Sequence, residues 1–321
     1  MNNKILENNW ASITYTGKSK FDFKRIDTVC IPELNIGFNF LINRCLILEL
    51  PVSNKVDFQS TVKENLTIEF FKETNYIVIQ LTDNNYNDLF NDLIISLYHR
   101  IKSLPNVDEY SKELIQTFYK WSEFFEDKKS DRLSTEMIKG LIGELLVLKA
   151  LVTISPSSKI NDVLNSWKGP YDEGHDFELE ALSIEVKTKE IYKLDIRISS
   201  EYQLEKELDK LLELTVVSVE NDPVNGVSIK DLVIEIKDIV TEMLGDTSIL
   251  LKAISQKGLT LKNLHLYDNF RFRPIHKINY DCTRIEFPKL IKSNVPKEIN
   301  GLSYNIKIGL LDAYIISKIL F

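Results

Sequence analysis

His175-Asp-Phe-Glu-Leu-Glu-Ala-Leu-Ser-Ile-Glu-Val-Lys-Thr188 is the stretch on which the reading of this chain turns. Ile184 and Val186 alternate with Glu185 and Lys187. This is the period of a half-buried strand, so the acid and the lysine share one face while the apolar pair faces a core. A β-hairpin over 176–190 brings Asp176 beside them, and two carboxylates and an ammonium then converge at one end of a sheet. Close carboxylates repel, so a proton or a cation must sit between them. An oxygen donor set of this kind suits Mg²⁺, with Mn²⁺ able to substitute. The lysine can orient or help deprotonate a water, or neutralise charge developing on a phosphate. The plain alternative is an exposed strand carrying an ordinary Glu/Lys pair. The same spacing recurs at Asp22-Phe-Lys24, Glu126-Asp-Lys128, Asp127-Lys-Lys129 and Glu235-Ile-Lys237. What separates 185–187 is the flanking apolar alternation and the acid that follows Gly174. The turn region Glu180-Ala-Leu-Ser183 lacks the Gly or Asn of a tight hairpin.

Working outward, Gly140-Leu-Ile-Gly-Glu144 lies in the helix expected over Leu133–Val152, with Ser134 as its N-cap. Each glycine costs about 1 kcal/mol relative to alanine in a helix interior, which makes sense where another backbone passes close. Glu144 sits among apolar residues, and a carboxylate on a packed face needs a partner. A cation or a water could serve, as could a nearby lysine or the solvent. Trp167-Lys-Gly-Pro170 reads as a turn before the first strand of the motif. Arg197 either meets a phosphate or covers a strand face, and Ser199 and Ser200 read as caps for a helix carrying Gln203.

These blocks, in the order GLIGEL, WKGP, HDF, IEVKT and SSEYQL, resemble the restriction-endonuclease-like PD-(D/E)XK superfamily. More closely, they are similar to a bacterial family labelled PD-(D/E)XK motif proteins. The likeness is strongest over 133–204 and extends over most of the chain. It implies an α/β (α+β) fold: a mixed central sheet flanked by helices, with an N-terminal β-rich module. It also implies that Asp176 is the motif aspartate, that Glu185 and Lys187 are the ExK pair, that Glu144 is the acid of the first core helix, and that Gln203 is a glutamine found after the last core strand. Glu144, Asp176 and Glu185 would hold Mg²⁺. His175 stands where the motif has proline; it reads as a structural or orienting group, with a general acid-base role as the alternative. The implied activity is Mg²⁺-dependent endonucleolytic hydrolysis of DNA in a restriction or phage-defence system, acting as a homodimer or with other subunits of that system. The alternative is a catalytically silent DNA-binding or assembly subunit.

The remaining pattern gives the organisation. Short β-branched or aromatic runs at Ser12–Thr16, Leu46–Leu50, Leu66–Phe70 and Tyr76–Gln80 predict strands, and apolar residues at helical spacing predict helices over Asp88–Lys102 and Val107–Asp127. Strands are expected again over 176–198, an acidic helix over 201–215, another helix over 228–244, and strands and loops from 262 onward. The simplest division is a β-rich module at 1–105 and a nuclease-like domain at 106–321.

Charge is strongly polarised. The formal net charge is −7, composed of +7 over residues 251–321 (12 basic, 5 acidic) and −14 over the rest (28 basic, 42 acidic). The C-terminal excess includes Arg271, Arg273, Lys277 and Arg284, a candidate DNA-binding face or a surface that balances acidic helices. Cys30, Cys45 and Cys282 form no CxxC or Cys/His cluster, and the histidines are scattered, which leaves zinc and disulfide frameworks without support. Without an apolar leader or a membrane-length run, the expected location is the cytoplasm. GxGxxG, Walker A and GxSxG motifs are absent.

Overall fold

A computed structural model describes residues 1–51, 60–126, 133–299 and 301–321. The chain divides into two compact units, Met1–Lys129 and Ser130–Phe321.

In the first unit, alternating and β-branched runs pair into one antiparallel sheet of β1 (Phe21–Arg25), β2 (Glu33–Asn39), β3 (Arg44–Glu49), β4 (Thr61–Val62), β5 (Leu66–Phe71) and β6 (Tyr76–Leu81), in the order β1-β2-β3-β6-β5-β4. Helix α1 (Asn3–Ala11) precedes the sheet, and α2 (Asn87–Ile101) and α3 (Val107–Ser122) follow it. Cys45–Leu48 of the central β3 are buried without interruption, as a strand covered on both faces requires. The strand expected at Ser12–Thr16 does not form. Ser12 instead caps α1, which buries Leu6 and Trp10 at helical spacing, and Thr16 donates its amide and hydroxyl to the Asp22 carboxylate. Asp127, at the end of the helix expected over 107–127, and the Asp127-Lys-Lys129 triplet lie outside the described residues.

The second unit is mixed α/β. Its helices are α4 (Thr135–Ile154), α5 (Ile160–Ser166), α6 (Ile229–Glu242) and α7 (Thr247–Gln256), and its strands are β7 (Phe177–Glu178), β8 (Leu182–Glu190), β9 (Asp195–Ile198), β10 (Leu211–Asn221), β11 (Phe272–Asp281), β12 (Tyr304–Lys307) and β13 (Ile315–Leu320). The central sheet runs β13-β11-β10-β8-β7. Strands β8 and β10 are parallel and every other pair is antiparallel. Leu212, Leu214 and Val216 of β10 share a core with Ile196 and Ile198 of β9 and Ile306 of β12. Helix α4 packs on β8. Gly143 makes that approach possible, because a Cβ there would lie 1.8 Å from Thr188 Oγ1. Gly140 has a different basis: a Cβ there meets nothing within 4 Å.

The acidic helix expected over 201–215 is absent. Residues 201–204 form a turn, and Leu211 begins an eleven-residue strand. The run Thr215-Val-Val-Ser-Val219 is β-branched except at Ser218 and lies between β8 and β11 with every residue buried, so sheet pairing overrides the helical spacing of the leucines before it. No helix among the described residues is long and apolar enough to cross a membrane.

Candidate active site

The β7–β8 hairpin forms without Gly or Asn in its turn. Leu179 N–H donates to Leu182 O at 2.9 Å, and Phe177 pairs with Ile184. This hairpin folds Asp176 back onto β8, where Asp176 Oδ2 accepts from Val186 N–H at 2.7 Å. Glu185, the neighbour of that amide, is only 2% exposed. Lys187 Nζ donates to Glu185 Oε1 at 2.7 Å. A surface Glu/Lys pair is therefore not what β8 carries.

Glu144 arrives from α4. Its Oε2 accepts from the Trp167 indole N–H at 2.8 Å. The turn after Trp167 brings Gly169 against the acids, and Lys168 N–H and Gly169 N–H both donate to Asp176 O. A Cβ at Gly169 would lie 2.2 Å from Glu144 Oε2 and 2.9 Å from Asp176 Oδ1, so those two oxygens can be no farther apart than the sum of these distances. Only glycine leaves room for both carboxylates.

Glu144, Asp176, Glu185, Lys187 and Gln203 all line one cleft of about 520 Å³. The Gln203 side chain braces the turn it sits on, with Oε1 accepting from Ser199 N–H at 2.7 Å. Ser199 and Ser200 thus do not cap a helix. The Ser200 hydroxyl instead accepts from Tyr202 N–H within the same turn.

The electrostatics follow from this crowding. Burial, then the neighbouring Asp176 charge, pushes Glu185 up to about 8, against the pull of Lys187. Burial and Asp176 push Glu144 up to about 8 as well, against the Trp167 hydrogen bond. Burial also raises Asp176, while the Val186 amide, Lys187, His175 and Lys257 oppose the rise. One ammonium among three crowded carboxylates, one buried and two half-buried, leaves an excess of acid that favours bound protons or a cation.

His175 points elsewhere. Its ring is buried, Nδ1 lies 2.8 Å from Glu178 Oε1, and Nε2 has no partner. Among the described residues, His175, Glu178 and Glu207 form the trio of potential metal ligands whose atoms all approach within 4.8 Å. Its positive charge is already supplied: Lys210 Nζ lies 2.7 Å from Glu178 Oε2 and 2.8 Å from Glu207 Oε2.

None of the four C-terminal basic residues lines the cleft. Arg271 braces the start of α6 by donating to Asp231 and to Gly226 O, Arg273 pairs with Glu220 and Asp222, and Arg284 pairs with Asp281. Lys277 is partly buried on β11 opposite Val217, and burial lowers its pKa. Asp176 stands abreast of Thr215 on β10 through Val186, whereas Arg273 stands abreast of Glu220. That offset of five residues is about 16 Å along the strand.

Two cleft residues carry no local signal in the sequence. Lys257 follows α7 in what reads as an ordinary helix stop before Gly258, and Asp172 adopts a left-handed conformation at φ 56 after the Gly169 turn. They meet at 2.6 Å because α7 packs against that turn.

A family model described as “Putative PD-(D/E)XK family member, (DUF4420)” matches residues 6–309, nearly the whole chain. No curated protein and no solved structure matches.

Proposed function

The chain belongs to the DUF4420 family, and from that premise and the chemistry of the cleft we propose that it is a Mg²⁺-dependent endonuclease that hydrolyses DNA phosphodiester bonds, in a restriction or phage-defence system. The observation that carries the reading is the convergence of Glu144, Asp176 and Glu185 with Lys187 in one cleft, with Glu144 and Glu185 pushed up to about 8. Hydrophobic packing alone does not maintain such an arrangement, because each buried carboxylate costs stability unless a cation compensates it.

The donor set fits a hard divalent ion. It contains only oxygens, from two helix- and strand-borne glutamates and one aspartate, and glycine at 169 keeps the space between Glu144 and Asp176 clear. Glu144, Asp176 and Glu185 would hold Mg²⁺, or Mn²⁺ in its place. When bound, such an ion supplies Lewis-acid polarisation of a phosphate and charge neutralisation.

The chain's own groups do the rest. The Val186 amide fixes the Asp176 carboxylate, and the Trp167 indole fixes that of Glu144. Lys187 is held at Glu185 with its ammonium on the cleft, where it can stabilise negative charge growing on a phosphate or take part in moving a proton from the attacking water. Gln203 lies at the rim with one amide oxygen committed to the turn, which leaves its NH₂ group to donate.

The test is nicking of plasmid DNA, across modification states, with Mg²⁺ or Mn²⁺, together with calorimetric titration of the same metals. Wild type should bind metal and nick, and Asp176→Ala should lose both. Wild type that leaves DNA intact under all these conditions overturns the proposal and favours a silent DNA-binding or assembly subunit.

A further inference from the structure

A cleft centred on three carboxylates repels the polyanion it is proposed to cut, so some part of it must offset that field. Besides Lys187, two cations line the cleft, Arg197 and Lys257. Arg197 comes from β9 and is exposed. Its guanidinium meets Ser303 Oγ at 3.4 Å, and among the described residues it forms no ion pair with a carboxylate. Lys257 comes from the end of α7. Its charge acts on both Glu144 and Asp176, yet its direct partner is Asp172, whose side chain is 84% exposed. An ion pair to so exposed a carboxylate is weakly held, so an incoming phosphate can replace Asp172. The arginines of the C-terminal strands differ in both respects, since each is committed to an acid and none lines the cleft.

We propose that Arg197 and Lys257 are the phosphate-gripping residues of this cleft, each holding a backbone phosphate of the nucleic acid near the one that is cut. Arg197 offers a planar fork that can bind two phosphate oxygens at once, and Lys257 offers a point charge released from Asp172. The inference deepens the nuclease reading and rests on it. It also moves the expected contact from Arg271, Arg273 and Arg284 to the rim of the cleft.

The experiment measures binding of a short fluorescein-labelled DNA duplex in Ca²⁺ over a series of salt concentrations, with Mg²⁺ cleavage followed in parallel. Arg197→Met and Lys257→Met should each weaken binding about tenfold and flatten the slope of log K against log salt by about one. Lys257→Arg should restore most of the affinity, and thermal melts should show all three variants folded. Arg273→Gln should bind and cut as wild type does. Asp172→Asn separates a phosphate contact from a mere tether between α7 and the Gly169 turn. It should bind as wild type or more tightly, because it frees the lysine.

The inference is overturned if the two methionine variants keep wild-type affinity and slope, if Arg273→Gln takes the loss instead, or if Asp172→Asn weakens binding as much as Lys257→Met. Wild type that neither binds nor cuts DNA overturns the inference and the nuclease reading together. Wild type that cuts while the methionine variants are unaffected overturns the inference alone.

Discussion

Two ionic clusters hang from the same β7–β8 hairpin, and adjacent residues lead into them. Asp176 enters the cleft with Glu144, Glu185 and Lys187. His175 enters a second cluster with Glu178, Glu207 and Lys210. Both contain acids and a lysine, yet Glu178 and Glu185 respond in opposite directions. Glu178 is held below the usual carboxylate range: hydrogen bonds from Lys210, His175 and Ser183 outweigh its burial. Glu185 is pushed up to about 8, because its single lysine cannot offset burial and the Asp176 charge. In the second cluster both glutamates are already paired with a lysine, and the cluster acts as a brace. The first has more negative charge than the chain compensates, which is the mark of a site built for something outside the chain.

The sharpest way to break this comparison is a pair of isosteric changes. Glu185→Gln should cost cleavage about 10³-fold or more while leaving the urea midpoint unchanged or higher, since it removes a buried carboxyl that burial and Asp176 disfavour in its charged form. Glu178→Gln should leave cleavage within a few fold and lower stability by about 2 kcal/mol, because the amide keeps only one acceptor oxygen and turns an NH₂ group toward the donors that met the other. Reversed results would mean that the braced cluster is the reactive one.

Lys187→Met should reduce cleavage by about 10²–10³-fold and weaken metal binding little, as checked by rate measurement and calorimetry. A variant that cuts normally would confine Lys187 to holding Glu185.

The pH dependence sharpens the contrast in sign. Glu144 and Glu185 have folded-state values above their unfolded ones, so between about pH 4.5 and 8 the folded chain binds more protons than the unfolded chain. Metal-free stability should therefore fall as pH rises through that window, and Mg²⁺ should flatten the fall. Glu178 contributes in the opposite sense: its stabilisation is present above its unfolded value and is lost as pH falls through its lowered folded one. Urea melts over pH 4–9, with and without Mg²⁺, measure both. A metal-free curve that rises towards pH 8 would overturn this account of the cleft.

The smallest effect concerns the two glycines of α4. Gly140→Ala should raise stability by up to about 1 kcal/mol, since the new methyl meets open space and alanine favours the helix. Gly143→Ala should lower it by about 2 kcal/mol, since its methyl must displace Thr188. Thermal denaturation of both variants tests whether the close helix–sheet approach belongs to Gly143 alone.

Much of this was legible along the chain because strand and helix periods are local properties. The alternation at Ile184–Lys187 placed Glu185 and Lys187 on one strand, the Ser134 cap and apolar run placed Glu144 on a helix, and the order of short blocks pointed to the family that matches. The acidic run over 201–215 failed for the same reason it was tempting: leucine spacing is local, whereas the pairing that makes β10 comes from β8 and β11. What only the tertiary structure decided is which charges are compensated. Arg271, Arg273 and Lys257 look alike as basic residues in sequence, but packing pairs the first two with acids outside the cleft and sets the third on its rim. The sequence determined the list of ionisable groups and the elements that carry them. Burial and distance, which depend on residues far apart in the chain, determined which of those groups bear chemistry.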